Sequence, residues 1–470
     1  MKKVILGAMG LAMLFASCKK EKVTADNGTT LFGTQKPLIV GVGSIRDTLV
    51  GEITVNTTVD DNTYLKGIVY VKPGVTLTVN AGVTIFGSNG PVTPNLTDLS
   101  QNKGTLVVEK GGVLNAIGSA NSPIVWTSEN ADGSRSFGNW GGIVILGNAP
   151  IGAIVGGVCS GTNTFEAFNV AGFPNPSRNT YGGSSAGDNS GSIVYNRIEF
   201  GGGTVADPNR EVNGLTLCGV GSGTTLDYIE VSNSGDDAFE FFGGTVNAKH
   251  LISFSNKDDD FDFDEGYKGK LQFLIGYRTT LADNSGSHLI EHDNNPSATV
   301  VCSPLRAQAW IANASLISEF PGTPTGGGFF DTSAILVRRN STLIFANSIM
   351  KIADRYPRAI VTTPTTTPRV AQGLTVFPAD STFIGANAID KAAFGASSDE
   401  NGRIITSVLN LPLQGPGNTP ITNIFNMGPG GVALTPFDSF FESTSDIGSI
   451  PSSGPSSGWI GGSWVSTDTD

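Results

Sequence analysis

Two clusters of carboxylates, 22 positions apart, are the feature of this chain richest in potential chemistry. Asp236-Asp237-Ala238-Phe239-Glu240-Phe241 is followed by Asp258-Asp259-Asp260-Phe261-Asp262-Phe263, and Asp264, Glu291 and Asp293 extend the series. Residues 236–265 hold nine acids and two lysines, a local balance of −7 against −12 for all 470 residues. If the copies stack as successive laps of a winding backbone, Glu240, Asp262 and Glu291 form one outward column. Asp260, Asp264 and Asp293 flank it, and Asp236 over Asp258 and Asp237 over Asp259 form two more at the adjoining turn. Laps of this kind lie about 4.8 Å apart. Two like charges at that spacing repel by roughly 1 kcal/mol in a water-like dielectric and by about 3 kcal/mol at an effective value near 20. Three things can compensate. Calcium takes about six to eight oxygen ligands; Lys249, Lys257, Lys268 and Lys270 could interleave; or some carboxyls stay protonated. Lysine alone is too scarce in this window. The sequence therefore nominates a calcium site among Asp236, Asp237, Glu240, Asp258, Asp259, Asp260, Asp262, Asp264, Glu291 and Asp293. The competing reading is a solvated acidic face relieved by salt.

Short β elements must position these groups. The chain has 62 Gly and only 15% charged residues, against roughly 33 Gly at the usual ~7%. Thr, Ser, Asn, Val and Ile are abundant, and long amphipathic helical patterns are missing, so many short strands joined by Gly/Asn turns are expected. A period near 22 residues with apolar alternation suits one coil of a parallel β-helix, and 470 residues are an ordinary length for a solenoid that grows along one axis. Leu215, Phe239, Phe261 and Ile290 recur at shifts of 24, 22 and 29, predicting a continuous inward row. Arg197–Phe200 aligns with Tyr228–Val231 at 31, and Tyr228–Val231 with Leu251–Phe254 at 23. That places Ile198, Ile229 and Ile252 on one face and Glu199, Glu230 and Ser253 on the other. Thr76–Val83 aligns with Thr105–Gly111 at 29. Asn233 and Asn256 close successive strands and are assigned to stacked structural corners. His288 and His292 share a strand face about 13 Å apart, too far for one ion, and are assigned to the surface or a turn.

The outline is an all-β solenoid over residues 38–350 and an irregular region with a cap over 351–470. The aromatic tail from Phe437 to Trp464 is expected to cover the open end, which would otherwise template aggregation. Before the solenoid, residues 1–17 read as an export signal, with Lys2 and Lys3 ahead of an apolar run too short to span a bilayer. Residues 18–37 read as a polar tether. Among Cys159, Cys218 and Cys302 at most one disulfide is possible; three buried small side chains are the simpler reading. The net acidity argues against nucleic acid as a partner.

Phe15-Ala16-Ser17-Cys18 resembles a bacterial lipobox, which implies lipidation of Cys18. Lys19-Lys20-Glu21-Lys22 resembles the export signal of Bacteroidetes-type surface lipoproteins. With the strand-turn-strand coils and Gly235–Leu251, the chain is similar to cell-surface lipoproteins that carry a right-handed parallel β-helix of the pectin-lyase-like superfamily. The likeness implies a lipid-anchored protein on the outer membrane, exposed at the cell surface, with an acidic glycan or another surface protein as partner. The superfamily's hydrolase branch uses three Asp with Gly-Asp-Asp and a later Gly-His-Gly. Gly235-Asp236-Asp237 matches the first element, but the second is missing. A calcium-dependent lyase would need a cation to neutralise the uronate and a base to take the C5 proton; Lys249, Lys268 and Arg278 are candidates. Arg338-Arg339 could grip an anionic glycan. Two functions are thus carried forward: a non-catalytic binding or structural module, and a lyase acting on acidic polysaccharide.

Overall fold

The computed structural model describes residues 47–351 except 92–94, 208–209, 279–285, 295–299, 301, 303–304, 319–332 and 340. It also describes short strands between 360 and 405, and residues 438–466 except 445 and 447. The export signal 1–17, Cys18 and the tether 18–37 lie outside the described residues, as does most of 351–437.

The strands wind into a right-handed parallel β-helix with three walls, and no α-helix occurs among the described residues. One wall, called the front wall below, carries the acids. In it Ile68–Val71 pairs with Thr105–Val108, which pairs with Gly142–Leu146, then Leu215–Cys218, Phe239–Phe242, Phe261–Asp264, Ile290–His292 and Ile335–Arg338. The other two walls share long strands: Gly191–Glu199, Thr225–Ser232, Asn247–Phe254, Lys270–Arg278 and Gln308–Ser318 each bend in the middle and serve both.

The bend has a visible cause. Tyr195, Tyr228, His250, Phe273 and Asn313 all take left-handed backbone angles, φ between 52° and 63°. Such angles cost a bulky residue about 1–3 kcal/mol. Ring stacking up the column offsets part of this: Tyr195 lies 4.2 Å from Tyr228, Tyr228 4.2 Å from His250, and His250 5.2 Å from Phe273. At the turn after the front wall the backbone needs glycine outright. Gly244 has φ +86°, and a Cβ there would lie 2.4 Å from the Val220 carbonyl oxygen.

The interior is one apolar column. Leu215, Phe239, Phe261, Ile290 and Ile335 are fully buried in register, with Phe239 stacked on Phe261 at 5.4 Å and Phe241 on Phe263 at 5.0 Å. Each such side chain contributes about 1.5–3 kcal/mol by leaving water. This row matches the sequence expectation, shifts included.

Three registers differ from expectation. Ile198 pairs with Val231, a shift of 33, and Ile229 with Leu251, a shift of 22. Ile252 therefore faces outward beside Glu230, and Ser253 faces inward, because the left-handed corner residues break simple alternation. Asn256 accordingly sits one place from Asn233: it accepts the Ser234 N–H at 2.6 Å and donates to the Val231 carbonyl at 3.2 Å. Thr76–Val79 pairs with Val113–Ile117, not with Thr105–Val108.

The tail is a further correction. Residues 438–466 do not cover an end; they run along the outside of the bent strands. There Ile252, Phe254, Phe273, Ile275 and Ile317 form an outward apolar patch closed by Ile450, Trp459 and Trp464. An outward row of large apolar groups needs a cover, and the tail supplies it. Toward the end of the described coils Thr342–Ala346 meets an antiparallel partner, Leu374–Pro378, while the front wall gains one more parallel strand, Ile360–Thr363. Cys159 and Cys302 form a disulfide, and Cys218 is a buried free thiol, so the reading of three buried thiols is replaced by one bridge and one thiol.

Candidate functional site

Outward positions of the front wall change character along the axis. Val144, Leu146, Cys218 and Phe242 are buried under the segment 147–190, against Ile151, Phe165, Phe168 and Tyr181. From Glu240 onward the row is acidic: Glu240 pairs with Asp262, and Asp262 with Glu291. Phe242 pairs with Asp264, and Asp293 follows the next strand. Glu240, Asp262 and Asp264 are half-buried, while Glu291 and Asp293 are buried.

The adjoining turn repeats one device. Asp237 Oδ1 accepts the Asp259 backbone N–H at 2.8 Å, and Asp259 Oδ1 accepts the His288 backbone N–H one coil further on. Each carboxylate thus satisfies a backbone donor of the next lap. Oxygens of Asp236, Asp237 and Asp258 come within 4.8 Å of one another, as do those of Asp237, Glu240 and Asp262. Oxygens of Asp259 and Glu291 lie equally close to a ring nitrogen of His288.

Electrostatics divide the acids into two groups. Burial, and then neighbouring carboxylates, push Asp237, Glu240, Asp262 and Asp264 well above the usual carboxylate range. For Glu240 the main charged neighbour is Asp262; for Asp262 it is Glu291. Glu291 and Asp293 have basic partners. Arg338 bonds Glu291 and reaches Asp293 at 2.8 Å, and Arg339 reaches Asp293 at 2.5 Å. Burial acts to raise Glu291, but its hydrogen bond to His288 and the Arg338 charge leave it below its ordinary value. Burial keeps Asp293 raised despite both arginines. Adjacent strand residues face opposite ways, yet Arg338 and Arg339 meet the same carboxylate because Arg339 is left-handed at φ 50°. No pattern in the chain announces this pairing, since 45 residues separate Arg338 from Asp293.

Asp260 leaves the expected set. It points inward, fully buried, accepting from Ser253 Oγ at 2.7 Å and pairing with Arg278 at 3.1 Å. Burial raises it to about 6 against the pull of Arg278. Arg278 also donates to the Lys257, Asp258 and His288 carbonyls, so it brackets the acidic turn to the following coil. His292 is likewise interior, its ring tilted against Phe263 at 5.7 Å, and burial lowers it to about 3. His288 is buried too, so neither histidine is a surface residue.

The candidate bases separate. Arg278 is enclosed with Asp260. Lys249 pairs with Glu442 of the tail at 3.2 Å. Lys268 is exposed on the turn after Asp264, and partial desolvation lowers its ammonium. Of the other lysines near the acids, Lys270 pairs with Asp438 at 2.6 Å and Lys257 lies over the Phe137 ring.

As for an ion, the donors at Asp237, Glu240 and Asp262 are all carboxylate oxygens, the type calcium prefers. Asp262 Oδ1 is buried and takes no hydrogen bond. These residues fit a hard divalent cation.

A family model for a pectate-lyase-like β-helix domain matches residues 51–384. No curated protein and no solved structure matches the chain. The family model spans the whole acidic wall and nearly all of the described coils, and this fold supports a polysaccharide-related role. The chain belongs to the pectate-lyase-like β-helix domain family.

Proposed function

We propose that this protein is an exported, lipid-anchored β-helix that acts without catalysis, binding an acidic glycan or a surface partner through a calcium-braced front wall. The carrying observation is the trio Asp237, Glu240 and Asp262, with oxygens within 4.8 Å of one another, while Arg338 and Arg339 serve Glu291 and Asp293. Calcium held there would bring positive charge to an otherwise acidic surface, and a uronate carboxylate could complete its coordination. The Cys159–Cys302 bridge supports export, since such bonds persist in oxidising compartments. So does the resemblance of Phe15–Cys18 to a lipobox.

Thermal unfolding with calcium and with chelator tests the ion. A ligand at about 100 times its Kd adds about 2.7 kcal/mol, and an unchanged Tm would remove calcium from the reading. One observation favours the alternative lyase: Lys268 stands exposed on the turn just beyond Asp264, close in sequence to the acids. Incubation with pectate or alginate plus calcium, followed by ultraviolet absorbance of the unsaturated product, separates the two. A signal lost in Lys268→Ala would establish the lyase in place of the binding module.

A further inference from the structure

Asp259, His288 and Glu291 form a second, chemically different cluster at the edge of the acidic wall. His288 Nδ1 lies 3.1 Å from Asp259 Oδ1 and 3.3 Å from Glu291 Oε2. All three residues are buried, His288 at 1%, Asp259 at 5% and Glu291 at 8% exposure. Two ligands bound about 2.0–2.1 Å from one ion at a tetrahedral angle stand about 3.3 Å apart. The observed spacings match that separation, and they equally match hydrogen bonds from a protonated Nδ1.

The surroundings hold the trio in place. Asp259 Oδ1 also accepts the His288 backbone N–H, which ties two members of the trio together, and Glu291 is gripped through its other oxygen by Arg338. The Arg338 contact has the form of outer-shell support, which orients a ligand and fixes its charge state. A separate observation points the same way. Asp262 is the rung directly below Glu291, and its buried Oδ1 has no hydrogen-bond partner. The charges of Glu291 and Asp259 both act on it, so it borders the trio.

We propose that Asp259, His288 and Glu291, with Asp262 beside them, bind a transition-metal dication of the zinc or cobalt class. Imidazole suits such ions, whereas calcium selects oxygen ligands. The site is thus distinct in chemistry from the calcium reading of Asp237, Glu240 and Asp262, although Asp262 borders both. The competing occupant is a proton, which would make His288 an imidazolium bridging two carboxylates.

Cobalt(II) added to the full chain is the probe, read by its visible absorption and by X-ray absorption at the metal edge. One ion per chain is expected, with one imidazole nitrogen among its ligands. The chain has three histidines; His250 is held between Asp227 and Ser456, and His292 is interior, so a single imidazole identifies His288. His288→Gln should weaken cobalt binding at least tenfold, and excess calcium should not displace the ion. Glu240→Gln should abolish the calcium shift in Tm while leaving cobalt bound, which separates failure of one site from failure of the other. The edge spectrum needs no variant, so misfolding of His288→Gln would not blur the result. No cobalt signal, an oxygen-only coordination sphere, or displacement by calcium would overturn the proposal and leave the protonated ion pair.

Discussion

Asp262→Asn changes one charge at the centre of the acidic column and should change stability in opposite directions with and without calcium. In chelator, Asp262 faces Glu240 with carboxylate oxygens within 4.8 Å and Glu291 on the next rung. A full like-charge pair at that distance costs about 0.9 kcal/mol at a water-like dielectric and about 3.5 kcal/mol at an effective value of about 20. Burial favours the protonated forms of Glu240 and Asp262, so the realised gain from the amide is smaller, about 1–2 kcal/mol. For a chain of this size, at about 2 cal/mol/K per residue, that is a Tm rise of about 1–2 °C. In excess calcium the order reverses, because the substitution removes a charged ligand and the wild-type chain gains the binding energy. Differential scanning calorimetry of both proteins in both buffers measures the crossover. If Asp262→Asn lowers Tm in chelator as much as in calcium, Asp262 is an ordinary paired acceptor and the reasoning from uncompensated charge is wrong.

Asp237, Glu240, Asp262 and Asp264 all have folded values raised above their unfolded ones, so the unfolded chain loses these protons first as pH rises. Stability in chelator should therefore fall as pH rises above about 4, by up to about 1.4 kcal/mol per unit per group, and comparing urea midpoints in mildly acidic and neutral buffer checks the sign. Arg278→Leu leaves Asp260 buried without its partner and should cost about 3–5 kcal/mol, read as a lower urea midpoint, with the acidic turn the first part to gain amide exchange. Trp464→Ala should free the tail, costing about 3–5 kcal/mol of packing and opening residues 438–466 to limited proteolysis before the coils themselves are cut.

The repeat around the acids was legible because it is local. Phe239 and Phe261, or Glu240 and Asp262, are separated by one uninterrupted lap of 22 residues, so counting along the chain is the same as climbing the helix. The Ile229–Ile252 alignment failed by one residue for a related reason: left-handed corners at Tyr228 and His250 shift which way each side chain faces, and that conformation leaves no composition signal in a tyrosine or a histidine. Asp260 was assigned outward by strand alternation, but it precedes the strand that begins at Phe261 and turns in to meet Arg278.

Sequence alone determined the winding architecture, the apolar row within and the excess of negative charge at one turn, because these depend on residue type repeated at a short interval. Only the tertiary structure decided how that charge is shared out. Arg338 and Arg339 reach Asp293 from 45 and 46 residues away. The tail folds back across 193 residues to lay Glu442 against Lys249, and across 206 to lay Ser456 against His250. Coulomb forces act through space over a few ångströms, and insertions of irregular length between coils erase any fixed spacing by which a chain could announce such partners.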